Sequence, residues 1–199
     1  REWQGFYLEF YQNTQKNGLG EKVNNAGYEI LRHVDLSDKK VLEVGPGSLP
    51  HHRFWTGKPR HYAVVDIKQE FIDHSMQVLK RDGVVASSFM LSAHVLPLEN
   101  ESVDIVISFY SLEHIHPLND YLLEFRRVLR PGGLLMGAIP CEGGLAWGGG
   151  RLLTSRRYIK NNSGINPDKI ICWEHPNYAD HVLQRLACYF ESVKLHFWP

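Results

Sequence analysis

Two glycines, a glutamate and an aspartate carry the first chemical signal in this chain. They lie within KVLEVGPGSLPHHRFWTGKPRHYAVVD, residues 40–66. Val41, Leu42 and Val44 form a short apolar run broken by Glu43, and Gly45-Pro46-Gly47 follows at once. A second run, Tyr62 to Val65, ends in Asp66, about twenty residues beyond the first glycine. That is strand, glycine turn, short helix, strand, acid: the spacing of a nucleoside-binding βαβ unit. Gly45 and Gly47 admit a ligand close to the backbone, because no Cβ stands in the way. Asp66, at the end of a strand, can accept hydrogen bonds from two ribose hydroxyls, each worth roughly 1.5–3 kcal/mol. A dinucleotide site would want a third glycine, and Gly45-Pro46-Gly47-Ser48-Leu49-Pro50 lacks one. Glu43 just ahead of the turn would repel a pyrophosphate and welcome an ammonium or sulfonium. The turn thus suits a cationic, phosphate-free nucleoside.

The elements that must position these groups can be read from periodicity. Val23, Ala26, Gly27, Ile30, Leu31 and Val34 fall on one helical face leading into the first strand. A helix is predicted over 69–80, ended by Asp82-Gly83, and a third strand over 84–91. Val103, Ile105, Val106 and Ile107 mark a fourth strand. The loop SFYSLEHIHP, 108–117, leads to a helix with Leu118, Tyr121, Leu122, Phe125, Val128 and Leu129 on one face. Arg126, Arg127 and Arg130 complement its C-terminal dipole. Pro131-Gly132-Gly133 stops it, and Leu134 to Ile139 makes a fifth strand. A last helix is predicted over 177–190 and a strand over 192–198. The alternating order implies a doubly wound, mostly parallel α/β sheet with helices on both faces.

VLEVGPGS resembles the first motif of class I S-adenosylmethionine-dependent methyltransferases. LEHIHP, a helix ending in RVLRPGG and a following strand resemble the small-molecule, type 11-like members of that family. The resemblance spans residues 23–140 and implies a Rossmann-like fold that binds S-adenosylmethionine and releases S-adenosylhomocysteine. It implies cofactor contacts at Glu43, Gly45, Pro46, Gly47, Asp66, Ile67, Ser92, Ala93, His94, Ser108 and Tyr110. Ser92 stands where the family has an acid for the adenine amino group. The family's final antiparallel strand, beside the fifth, has no counterpart here. One domain is expected: an N-terminal flap or lid at 1–22 with Trp3, Phe6, Tyr7, Phe10 and Tyr11, a cofactor core at 23–140, a substrate-side insertion at 141–176, and a C-terminal helix and strand at 177–199. The chain begins without methionine and stops after an apolar run, so the natural protein is expected to extend past both ends.

Methyl transfer needs nucleophile, methyl carbon and sulfur in line, an alignment worth roughly 7–11 kcal/mol at best. A general base adds about 10²–10⁴-fold. His114 and His175 are the candidates, being imidazoles in loops over the sheet. The plainer readings are a cofactor-shaping residue for His114 and a helix-entry residue for His175. No metal site is expected, since no histidine and acid set of ligand spacing shares one element. Arg151, Arg156 and Arg157 could bind an acceptor's phosphate or carboxylate, or form a solvated face.

With 22 basic and 22 acidic residues, the chain lacks an electrostatic footprint for nucleic acid or an anionic membrane. Cys141, Cys172 and Cys188 form neither a CxxC pair nor an even framework, which points to reduced thiols and the cytoplasm. There is no apolar run of spanning length, and no signal peptide is expected. Ser108-Phe109-Tyr110 replaces an NPPY-type motif, which argues against DNA amino-methylation, and no Pro-Cys pair supports cytosine-C5 chemistry. The expected function is methyl transfer to oxygen or nitrogen of a small molecule, such as a sugar intermediate, a quinone or phenol. The alternative is a non-catalytic S-adenosylmethionine-binding module. The sequence leaves the acceptor and the oligomeric state open.

Overall fold

The structure is a computed structural model that describes residues 18–91, 94–141, 155–163, 166–167 and 174–197. Its centre is a five-stranded, wholly parallel sheet: β1 (Lys40–Val44), β2 (His61–Asp66), β3 (Ala86–Met90), β4 (Val103–Phe109) and β5 (Leu129–Ala138), in spatial order β3-β2-β1-β4-β5. Helices α1 (Gly18–Tyr28), α2 (Gln69–Arg81), α3 (Leu118–Val128), α4 (Ser155–Asn162) and α5 (Ala179–Tyr189) accompany it. The predicted α/β doubly wound class is therefore the observed one.

Strand alternation divides the core in two. Leu42, Val44, Ala63, Val65 and Val106 face Leu122, Phe125 and Val182 from α3 and α5. Val41, Tyr62, Val64, Ile105 and Ile107 face Tyr28, Leu31 and Leu79 on the other side. Both faces of the central strands are covered, which is why they read as near-continuous apolar runs. The strand order reverses between β1 and β4. In open α/β sheets the crevice outside the carboxyl ends at that reversal receives the ligand.

Several elements differ from the sequence expectations. The short helix after the glycine turn is a 3-10 turn, Pro50–Phe54. β5 begins at Leu129 because the Pro131–Gly133 stretch forms a bulge between the Val103–Leu129 and Ile105–Leu134 pairings. The continuous register does start at Leu134, where the strand was predicted.

The predicted strand over 192–198 is a correction. Residues 192–197 form no strand, and Val193, Leu195 and Phe197 are 38 %, 51 % and 67 % exposed. Their alternation suits a half-buried strand, but a strand exists only if an edge receives its hydrogen bonds, and among the described residues none does. The flap over residues 1–17, Ser92, Ala93 and most of the 141–176 insertion lie outside the described residues.

Candidate active site

The glycine turn is held at the mouth of the reversal. Gly45 donates its N–H to the carbonyl of Val65 at 2.9 Å, stitching the turn to the end of β2. Gly45 and Gly47 have φ of +73° and +55°, the left-handed region that glycine adopts without strain. Gly45 has a second reason to be glycine: a Cβ there would stand 2.7 Å from the Cβ of Ser111. Ser108 Oγ lies 2.8 Å from Ser111 Oγ, and Ser111 donates onward to the Val44 carbonyl at 3.0 Å. This hydroxyl chain pins the loop leaving β4 against the end of β1.

Asp66 ends β2 beside Met90 of β3, at the carboxyl edge of the sheet. Lys68 N–H donates to its Oδ1 at 2.9 Å. Burial raises the Asp66 carboxyl above its ordinary value, more than the backbone donors of Lys68 and Ile67 lower it. Ile67 and Val95, at that same edge, are 68 % and 62 % exposed. A carboxylate beside exposed apolar side chains, with glycines next to it in left-handed conformations, fits a nucleoside: hydroxyls to the acid, the base over the apolar surface.

Three residues expected at the cofactor have other work in the structure. Glu43 is fully buried, with Oε1 2.6 Å from His51 Nε2 and Oε2 accepting from the Tyr62 hydroxyl at 2.7 Å. Trp55 Nε1–H donates to His51 Nδ1 at 3.1 Å, so the His51 proton is on Nε2, facing Glu43. Glu43 thus braces the turn from beneath. Ser108 is fully buried in the hydroxyl chain. Tyr110 (φ +52°) sends its hydroxyl to the Asn24 carbonyl at 3.2 Å and packs edge-on against Tyr28. Burial and the nearby Glu113 raise its pKa. Tyr110 therefore fastens α1 to the β4 loop. His94 is half-exposed and lies 3.7 Å from Asp120 at the start of α3.

The structure brings the two candidate histidines together. The His114 and His175 ring centroids are 4.5 Å apart, edge to face. Buried Glu113 joins them, its Oε1 4.0 Å from His114 Nε2. His114 Nδ1 bonds the carbonyl of Glu174, and since a carbonyl only accepts, Nδ1 carries the hydrogen. What holds the two segments in place is Asn177, a residue that gives no sequence signal beyond its place before a helix. Its side-chain amide donates to the Leu112 and Ile115 carbonyls at 2.9 and 2.5 Å, and its backbone N–H donates to Glu113 O at 3.2 Å. Glu174 is close enough to the half-buried Lys68 to raise its pKa against the stronger effect of burial. The cluster and Asp66 therefore share one end of the sheet.

Arg127 was expected only to complement a helix end. It instead donates to the Leu96 and Leu98 carbonyls, to Asn100 Oδ1 and to Glu124, which itself accepts from Leu96 N–H. It clamps the loop that follows β3 onto α3.

Residues 42–137 match the family described as the methyltransferase domain. Over that span, which holds the glycine turn, Asp66 and the loop leaving β4, the chain is similar to the class I S-adenosylmethionine-dependent methyltransferases. Among curated relatives, it is 34 % identical over 116 residues to phthiotriol/phenolphthiotriol dimycocerosates methyltransferase 1 of Mycobacterium ulcerans, covering 56 % of this chain and 41 % of that one. It is 27 % identical over 180 residues to malonyl-[acyl-carrier protein] O-methyltransferase of Pectobacterium atrosepticum, covering 88 % and 68 %. The chain thus spans about two fifths of the first of these relatives. In fold, the chain resembles the [4+2]-cyclase SpnF, with a TM-score of 0.59, 15 % identity, and coverage of 85 % and 57 %. It also resembles phosphoethanolamine N-methyltransferase 1 of Haemonchus contortus, with a TM-score of 0.57, 19 % identity, and coverage of 72 % and 34 %. The cofactor of the family is S-adenosylmethionine, and the Asp66 edge fits its adenosine.

Proposed function

We propose that this methyltransferase transfers the methyl group of S-adenosylmethionine to an oxygen or nitrogen of a small-molecule acceptor in the cytoplasm. The observation that carries the reading is the meeting of Glu113, His114 and His175 at the same sheet edge as Asp66. Bound there, the cofactor supplies an electrophilic methyl group on a sulfonium. Asp66 would hold the ribose, Gly45 and Gly47 would let the amino-acid portion lie on the backbone, and Ile67 would face the adenine. The histidine cluster would take the acceptor's proton, the step a neutral hydroxyl or amine requires. The malonyl-[acyl-carrier protein] relative, an O-methyltransferase by name, favours oxygen. The balanced charge of 22 against 22 disfavours nucleic acid as acceptor. No described helix is long and apolar enough to cross a membrane.

Calorimetric titration with S-adenosylmethionine, S-adenosylhomocysteine and NAD tests the first half, with Asp66→Ala as control. Micromolar binding of the first two and loss in the variant are expected. Equal affinity in the variant would put the ribose elsewhere. Screening hydroxylated, carboxylated and amino acceptors for S-adenosylhomocysteine release tests the second half. Tight cofactor binding with no turnover on any acceptor would favour a non-catalytic binding module.

A further inference from the structure

We propose that Glu113, His114 and His175 form a binding site for one divalent transition-metal ion of the zinc class. One carboxylate oxygen and two ring nitrogens lie within 4.8 Å of one another. Ligands at about 2.0–2.1 Å from a tetrahedral ion stand roughly 3.4 Å apart. Closure therefore needs a shift of about an ångström, within the reach of side-chain rotation. Two imidazoles and a carboxylate are the donor set that borderline divalent ions prefer, and three protein ligands leave a coordination position open.

The second observation is the state of His114. With Nδ1–H given to the Glu174 carbonyl, Nε2 is the nitrogen that offers a lone pair, and it is Nε2 that faces Glu113. One ring N–H anchored on a backbone carbonyl, which fixes the tautomer and leaves the other nitrogen to bind, is how metal-ligating histidines are oriented. The frame is also built: Asn177 fastens residues 174–177 to residues 112–115 through three hydrogen bonds. The sequence offered no ligand set because the donors come from two segments about sixty residues apart. The fold assembles them.

The ion's place beside the acceptor rests on the methyl-transfer reading; the site itself rests on the cluster alone. An acceptor hydroxyl or carboxyl oxygen would take the open position and lose its proton to solvent more readily there. The methyl would then pass from the sulfonium sulfur to that oxygen, forming a C–O bond and leaving a neutral thioether. With an ion bound, the imidazoles would hold it instead of taking the proton themselves, and the acceptor would be an oxygen nucleophile.

The test is calorimetric titration of the chelator-stripped chain with zinc chloride alone, repeated on His175→Ala and His114→Ala. Each wild-type chain should bind one ion, with affinity falling at least 100-fold in both variants. Thermal melting and S-adenosylmethionine titration of the same samples check that the variants are folded. Less than one ion per wild-type chain would overturn the proposal. So would zinc affinity unchanged in either variant, since the ion would then sit on others of the eleven histidines. Cofactor binding by the metal-free chain reports on the methyltransferase reading separately.

Discussion

At the scale of single residues, the site's polar groups divide into those proposed to meet ligand and those that hold the turn. Asp66 belongs to the first set, and its raised pKa has a defined sign. The folded state keeps the proton to a higher pH than the unfolded chain does. Stability associated with this group is thus greatest at acid pH and declines as pH rises through the window between the two pKa values. At neutral pH the buried charge is a cost that binding offsets. Asp66→Asn should raise the melting temperature of the ligand-free protein near pH 7 while abolishing cofactor binding; scanning calorimetry with and without S-adenosylmethionine checks both. In the wild type, cofactor affinity should begin to fall on acidification above the usual carboxylate range, because protonation removes the charge that the ribose hydroxyls bond. Glu43 belongs to the second set. His51→Ala would strip one partner from its buried carboxyl and leave a cavity, costing about 3 kcal/mol in chemical denaturation.

At the scale of elements, the site depends on two clamps that tie loops to helices. Asn177 draws the segment before α5 onto the β4 loop, and Arg127 draws the loop after β3 onto α3. Asn177→Ala would leave the Leu112 and Ile115 carbonyls without that donor. Each unmade bond of this kind costs about 1–3 kcal/mol. The expected result is faster amide exchange at 112–115 and 174–177, and a drop in turnover larger than the loss of cofactor affinity. Arg127→Ala should do the reverse, weakening cofactor binding while the acceptor side stays intact. Neither clamp was legible in the sequence. An asparagine before a helix resembles a cap, and an arginine near a helix end resembles dipole compensation. Which carbonyl each amide meets is decided by tertiary approach, which local pattern does not encode. Glu43 was misplaced for the same reason: its spacing to the turn was right, but strand alternation turned its side chain under the sheet, toward His51 and Tyr62.

At the scale of the molecule, the fold was legible because both faces of the central strands are covered and their apolar runs announce it. The glycine turn, Asp66 and the LEHIHP loop then pointed to the candidate site, since doubly wound sheets bind at the reversal of strand order. Residues 192–197 were not legible, because alternation specifies a face and says nothing of whether an edge stands ready. Replacing Leu195 and Phe197 with serine should leave stability within about 0.5 kcal/mol, as expected for surface positions. A larger drop in thermal melts would mean that this segment packs. The Asn177 clamp has a consequence for how such a protein diversifies. β5 ends at Ala138 and Asn177 is riveted to the β4 loop, so both boundaries of the stretch between them are set by the sheet. Such a stretch should behave as a cassette: exchange of its length and content is expected to leave the candidate site in place, provided that His175 and Asn177, which follow it, are kept.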